Sequence, residues 1–282
     1  MQWTTPPQPT PTRLTRLPDR GVITLEGEDR VAFLQGLVSN DIAAVTPGQA
    51  VWAALLTPQG KWLADFFVFT DAASLKLDCE REQLPMLIQR LSRYRLRMKA
   101  TLSAETTLQV YVGWGGSLAA EGLVAPDPRL PDFAWRILGP PDARTNATAE
   151  DWDRYRLAAG LPDGSRDMEA DHSVLLEAGF DELAGVSWSK GCYMGQELTA
   201  RTKYRGLLKR RLVPVAVDGR LPAPGTPILR DGREVGTMRS GRERMGLALL
   251  RLDSLGQPLR CGDATLTPRI PAWMRLPAAA SA

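Results

Sequence analysis

The spacing of hydrophobic positions changes several times along the chain, and each change marks an element. Gly21 to Leu25 is an apolar run of strand length. Glu28-Asp29 then opens a helix whose apolar positions, Val31, Phe33, Leu34 and Leu37, share one face. Two apolar, aromatic runs, 50–57 and 61–70, flank Pro58-Gln59-Gly60 and predict an antiparallel hairpin. Leu84, Leu87, Ile88 and Leu91 give one face of a helix over 80–94, with Pro85 in its first turns, where its missing N–H is tolerated. Strands are predicted over 97–102 and 108–112, an order that suits a split βαβ-like layer. A proline-interrupted stretch, 125–144, holds a brief strand at 133–138, and a helix over 150–159 ends at Gly160 and Pro162.

After Arg201 the period shortens. The runs 211–217, 227–230, 234–238, 245–251 and 264–267 alternate with Asp218-Gly219, Pro224-Gly225, Asp231-Gly232, Ser240-Gly241 and Cys261-Gly262-Asp263. Short strands at such even spacing predict a small all-β barrel from about residue 207 onward. The fold class is α+β, and no internal repeat is visible.

Composition narrows the classes of function. A chain of 282 residues is long for one core, so two or three subdomains are expected. The net charge is +3, from 35 basic and 32 acidic residues mixed along the chain, which argues against a dedicated nucleic-acid binder. No apolar run is long enough to span a bilayer, so no membrane partner is expected. Residues 1–12, rich in Thr, Pro and Gln and without a signal-peptide core, read as a disordered arm, with the cytoplasm as default compartment. Three cysteines, Cys79, Cys192 and Cys261, with no C-x-x-C pair, fit a reducing compartment. One histidine, His172, excludes a His-rich metal site; beside Glu169, Ala170 and Asp171 it reads as a solvated loop residue rather than as a partner of Cys192.

Two basic runs stand out. Arg90, Arg93, Arg95, Arg97 and Lys99 form the first. Positions 93 to 99 alternate like a strand, which favours a solvated edge strand defended by charge over a binding site. Arg201, Lys203, Arg205, Lys209, Arg210 and Arg211 form the second, read evenly as an anion site or a solvated loop.

The densest chemistry is Lys190-Gly191-Cys192-Tyr193-Met194-Gly195-Gln196-Glu197, continued by Leu198-Thr199-Ala200-Arg201-Thr202. Glycines on both sides of Cys192 permit tight turns, and a lysine two residues away would favour the thiolate. A helix starting near Gly195 would add its free N–H groups, with Glu197 and Arg201 paired at i,i+4. A buried, inert cysteine is the plain alternative, and the flanking polar residues weigh against it.

Lys190 to Glu197 match K-G-C-[YF]-x-G-Q-E at every fixed position, and the chain thereby resembles the YgfZ-type folate-binding proteins and their mitochondrial iron–sulfur assembly counterparts. Supporting blocks are Phe33-Leu34-Gln35-Gly36 with Asn40-Asp41, Leu56 to Lys61, Tyr155 to Pro162, and Leu198 to Gly206. The resemblance spans roughly residues 20 to 217. It implies a fold like the T-protein (aminomethyltransferase) of glycine cleavage: three subdomains around a central folate pocket, with a split βαβ-like (ferredoxin-like) layer and a small C-terminal β-barrel. The implied partition is 13–48 plus 115–206 as a discontinuous folate-binding subdomain, 49–114 as a ferredoxin-like insert, and 207–282 as the barrel.

The implied function is assembly or repair of iron–sulfur clusters, chiefly four-iron, in client enzymes such as radical-SAM tRNA modifiers, in the cytoplasm of a bacterium or the mitochondrial matrix of a eukaryote. Tetrahydrofolate is the implied ligand, with Glu177, Tyr193, Gln196, Glu197 and Arg201 as candidate contacts. Leu176-Glu177-Ala178-Gly179 is similar to the T-protein block whose glutamate contacts the pterin, and a carboxylate suits the ring's paired N–H donors. The basic runs gain the glutamate tail as a candidate ligand. Cys192 is the candidate functional thiol, alone or as a transient cluster ligand, with Lys190 beside it. Where the T-protein carries a G-x-x-x-D-D type segment, this chain has Gly60-Lys61-Trp62-Leu63-Ala64-Asp65. Ala64 removes one acid and leaves Asp65, which counts against the alternative function, one-carbon transfer to tetrahydrofolate as an aminomethyltransferase or demethylase.

Overall fold

The first two strands, β1 (Arg13–Arg16) and β2 (Arg20–Glu26), enter different sheets. The computed structural model describes residues 12–276 other than 117 and 119. The arm expected over residues 1–12 lies, Thr12 apart, outside the described residues. After β2 come α1 (Arg30–Gln35), the hairpin β3 (Val51–Leu56) and β4 (Trp62–Thr70), then β5 (Leu75–Glu80), α2 (Leu84–Tyr94) and β6 (Thr101–Glu105). Five strands form an antiparallel sheet in the order β3-β4-β5-β2-β6.

Because β5 and β6 flank β2 and are joined through α2, this is a split βαβ unit. The strand feeding the helix, β5, was not predicted, although Leu75, Leu77 and Cys79 alternate with Lys76, Asp78 and Glu80 as in a half-buried strand; Asp78, on the polar side of that alternation, is nevertheless fully buried. Phe33 and Leu34 of α1 and Leu87 and Leu91 of α2 pack with Ile23, Leu55, Phe66 and Leu77 of the sheet. The boundary expected between residues 48 and 49 therefore cuts one sheet, since β2 bonds along both edges to strands beyond it. The strand expected over 97–102 is also displaced. Helix α2 runs through Arg93 to Tyr94, residues 95–98 turn, and β6 starts at Thr101, so Arg93 to Lys99 share no strand face.

The second sheet takes β1, β7 (Gln109–Trp114), β8 (Leu123–Pro126) and β9 (Trp135–Gly139) in the order β1-β7-β9-β8. Trp152, in α3 (Ala149–Ala159), packs on Trp114 and Phe133 with ring centroids 5.7 and 6.2 Å away. Buried charges join this sheet to the first. Asp78 takes Arg20 and Arg136, Asp127 takes Arg129 and Arg136, and the Arg136 guanidinium sits 3.7 Å from the Phe67 ring centroid. Removing one member would strand a buried charge, which is why such clusters are retained whole.

The chain divides into two compact units, residues 12–152 with 183–196 and residues 153–182 with 197–276, a partition that differs from the expected subdomains by keeping 49–114 within the first unit and by grouping 153–182 and 197–206 with the barrel. The second unit contains α4 (Gln196–Tyr204) from its second residue and a closed barrel of β10 (Arg210–Asp218), β11 (Pro227–Arg230), β12 (Arg233–Arg242), β13 (Met245–Arg251), β14 (Leu259–Cys261) and β15 (Ala264–Pro268). Val213, Val215, Ile228, Met238, Leu250 and Leu266 fill it, as the alternating pattern predicts. Arg156, 1% exposed, ties residues 153–167 to β12 through Asp153, Asp167, the Leu161 carbonyl and Ser240.

Candidate functional site

Three blocks far apart in sequence are knotted together in the first unit. The Lys190 ammonium donates to the carbonyls of Gln35, Val38 and Asn40 at 2.6, 2.8 and 2.7 Å, across separations of 155, 152 and 150 residues. An ammonium has three donors, and here each has an acceptor. Those carbonyls lie at and just beyond the C-terminus of α1, where intrahelical donors run out and a cation is favoured. Nζ also lies 5.3 Å from the Tyr193 ring centroid. Burial pushes the Lys190 pKa down to about 8, against the pull of Asp41. This corrects the expectation for Lys190: its charge is spent on residues 35–40 and not turned to Cys192.

Further bonds follow the same seam. Ser187 N–H donates to Ser39 O at 3.0 Å and Met194 N–H to Gly36 O at 3.2 Å. Ser39 Oγ donates to Gly185 O and Asn40 Nδ2 to Ala184 O, each at 2.7 Å. Gly195, at φ +79°, then presses on the β3–β4 hairpin so closely that a Cβ there would lie 2.4 Å from Thr57 O and 3.0 Å from Gly60 Cα. Only glycine meets both the left-handed backbone and that approach. Gly191 has open space around it and no such backbone demand.

On this fixed base Cys192 is exposed, while Cys79 and Cys261 are buried. Burial pushes the Cys79 thiol up to about 12, leaving Cys192 as the accessible nucleophile or ligand. The Gln196 side-chain oxygen accepts from Tyr193 N–H at 3.2 Å, and Tyr193 is buried, so both shape the loop. Helix α4 begins at Gln196, as the sequence suggested. The expected Glu197–Arg201 brace is not formed: both are exposed, and no ion pair joins them among the described residues. They lie on α4 in the second unit.

Asp65 is the acid that the 60–65 segment retains. It is 4% exposed, and its carboxylate accepts from the indoles of Trp52 at 2.8 Å and Trp62 at 3.2 Å. Burial raises its pKa to about 6, with the Trp52 hydrogen bond and the Arg20 and Arg129 charges opposing. Both of its carboxylate oxygens are thus taken up by buried indoles of the same sheet.

Glu177, in the second unit, borders a cavity of about 460 Å³ with Thr202, Lys209, Arg210, Glu234 and Arg251. Its carboxylate is held from Arg210 Nε at 2.9 Å and Nη2 at 3.3 Å. In the first unit the loop before Lys190 borders another cavity, about 870 Å³, walled by Val51, Pro126, Pro128, Val186 and Trp188, with no charged side chain in its lining. His172 is exposed, its Nδ1 2.9 Å from Ala170 O, which agrees with a solvated loop residue.

Sequence reasoning quoted Gln35, Asn40 and the 56–61 turn as family marks without a role; the structure supplies one, because they receive the Cys192 loop. Ser39 and Ser187 it missed, and isolated serines carry no periodic signal. No group of three or more His, Cys, Asp or Glu side chains is gathered for a metal among the described residues.

Comparison with known proteins places this geometry. Residues 209–276 match the family model of the CAF17 C-terminal beta-barrel domain. The crystal structure of the glycine cleavage system aminomethyltransferase T from Bartonella henselae superposes with a TM-score of 0.72 at 15% identity, covering 93% of this chain and 86% of that one, which shows a shared fold. The mitochondrial iron–sulfur cluster assembly factor IBA57 of Mus musculus is 31% identical, and that of Homo sapiens 30%, each alignment covering 92% of this chain and 84% of the relative. Identity of that order over nearly the whole length means that this chain belongs to the IBA57 family.

Proposed function

We propose that this protein acts in the assembly or repair of iron–sulfur clusters and that Cys192 is the thiol it presents to the cluster or client. The observation that carries the reading is an exposed cysteine at the crest of a loop pinned by Lys190 and Gly195, in a chain whose mouse and human relatives are named as iron–sulfur cluster assembly factors. A single thiolate cannot complete a four-thiolate site, so the other ligands would come from a client, a carrier or a small thiol. The cluster is then cargo. Four-iron enzymes, including tRNA-modifying radical-SAM enzymes, are the clients we expect, in the mitochondrial matrix of a eukaryote or the cytoplasm of a bacterium.

Tetrahydrofolate is the proposed ligand. The cavity around Glu177 has the volume of a small-molecule site, a carboxylate for the pterin's paired N–H donors, and Lys209 and Arg251 for the glutamate tail. The uncharged cavity beside Trp188 offers neither. One-carbon transfer is the weaker reading because Asp65, the acid retained from the T-protein-like segment, is enclosed.

The test is depletion of this protein followed by assay of four-iron enzymes, with rescue by the wild type and by the Cys192→Ala and Glu177→Ala variants. The wild type should restore activity and Cys192→Ala should not, while folding normally. Full rescue by Cys192→Ala would remove the thiol from the mechanism. Turnover of a methylated amine with tetrahydrofolate would move the assignment to transferase.

A further inference from the structure

A run of basic residues in the first unit plays no part in the cysteine loop. From Leu84 to Lys99 the chain has five basic residues, Arg90, Arg93, Arg95, Arg97 and Lys99, and no acidic one. Residues 92–97 are exposed without a break, between Leu91, which is buried, and Met98, which packs on the core of the five-stranded sheet. The base of the turn is pinned. Lys99 Nζ pairs with Glu28 at 2.7 Å, Lys99 N–H donates to Asp29 Oδ2 at 2.7 Å, and Asp29 N–H donates to Lys99 O at 3.1 Å. Gly27 backs it so closely that a Cβ there would sit 2.0 Å from Lys99 O.

The apex is built differently. Arg93, Arg95 and Arg97 are exposed and form no ion pair with any described residue. Leu96 stands between two of them at 88% exposure and a φ of +48°, a left-handed conformation that a leucine avoids. Tyr94, 38% exposed, lies beside it. An apolar side chain held in strain at the tip of a turn pinned at its base, with arginines on both sides in sequence, points to a partner that is anionic outside and apolar just beneath.

We propose that residues 93–97 dock on an anionic lipid surface, with Leu96 entering the headgroup–acyl boundary and the three arginines taking lipid phosphates. A bilayer interface offers phosphate and hydrocarbon within a few ångströms of each other, which suits a convex tip of this kind. A nucleic-acid groove would take the arginines but gives Leu96 no apolar seat. The contact is peripheral: no helix among the described residues is long and apolar enough to cross a membrane. It qualifies the expectation of no membrane partner, which rested on the lack of a spanning segment.

Co-flotation of the full-length protein with two kinds of vesicle tests this, one of phosphatidylcholine alone and one of equal parts phosphatidylcholine and phosphatidylglycerol. Binding should occur on the anionic vesicles only and weaken as salt rises. Replacing Arg93, Arg95 and Arg97 together by Gln should weaken it roughly a hundredfold. Leu96→Asn is the decisive variant, because asparagine tolerates the left-handed backbone: its melting temperature should hold or rise while its vesicle affinity falls several-fold. Equal binding to both vesicle types, or none to the anionic ones, overturns the proposal. So does tighter binding to a short RNA duplex that loses its affinity in the arginine variant and keeps it in Leu96→Asn.

Discussion

A methyl group on Gly195 would lie 2.4 Å from the carbonyl oxygen of Thr57, the residue that opens the turn between β3 and β4. The same glycine has φ +79°, so Gly195→Ala meets backbone strain and a steric clash with another backbone at once. The expected loss is about 2–4 kcal/mol, against less than about 0.5 kcal/mol for Gly191→Ala, whose new methyl meets open space. Urea unfolding of the two variants measures both. Equal effects would mean that the hairpin contact is not what fixes the loop.

Lys190→Met fills much of the side-chain volume but donates nothing to Gln35, Val38 and Asn40. Relief from burying an ammonium offsets part of that loss, so the net cost should be near 1–2 kcal/mol, an order-of-magnitude figure. The sharper effect is local. The Ser187 and Met194 amides, bonded to Ser39 and Gly36, should exchange with solvent faster once the clamp is gone. Unchanged exchange at both amides would deny Lys190 its clamping role.

Asp65 makes stability depend on pH in an unusual direction. Its pKa rises on folding from 3.8 to about 6, so the folded state binds the extra proton between those values, and stability falls as pH rises through the window. The full fall is about 3 kcal/mol and is complete above about pH 6. In Asp65→Asn that component vanishes, but one buried indole loses its acceptor, costing about 1–3 kcal/mol. The variant should thus be the weaker protein near pH 4, with the gap closing or reversing by about pH 7. Paired urea titrations at the two pH values check it, and a constant gap would refute the raised pKa.

Most periodic elements were legible in the sequence, and the partners of buried charges were not. The barrel strands, the 51–70 hairpin and α2 follow from alternation or helical spacing with turn residues between them. Strand β5 alternates over all six residues and was nonetheless passed over; what its alternation cannot show is that Asp78 is buried on Arg20 and Arg136, because those arginines lie 58 residues away on either side. The alternating arginines at 93, 95 and 97 misled in the opposite sense, since spacing alone cannot tell a strand from a helix end with its turn. The cysteine motif announced itself by composition. The direction in which Lys190 points did not, because its three acceptors are backbone carbonyls, invisible in side-chain chemistry.

Glu177 and Arg210 set the last expectation. A guanidinium and the amino-pyrimidinone edge of a pterin both offer a carboxylate two parallel N–H donors, so on the folate reading Arg210 occupies the pterin's place until displaced. Arg210 is half-exposed, at 49%, so the pair is worth no more than about 1 kcal/mol. Arg210→Ala should therefore raise the affinity for a tail-less tetrahydropterin by up to about fivefold, while Glu177→Gln should lower it at least as much. Calorimetric titration with the tail-less ligand separates this effect from contacts of the glutamate tail with Lys209 and Arg251. Should both variants bind the tetrahydropterin as the wild type does, the pterin does not sit on Glu177, and the cavity serves another ligand.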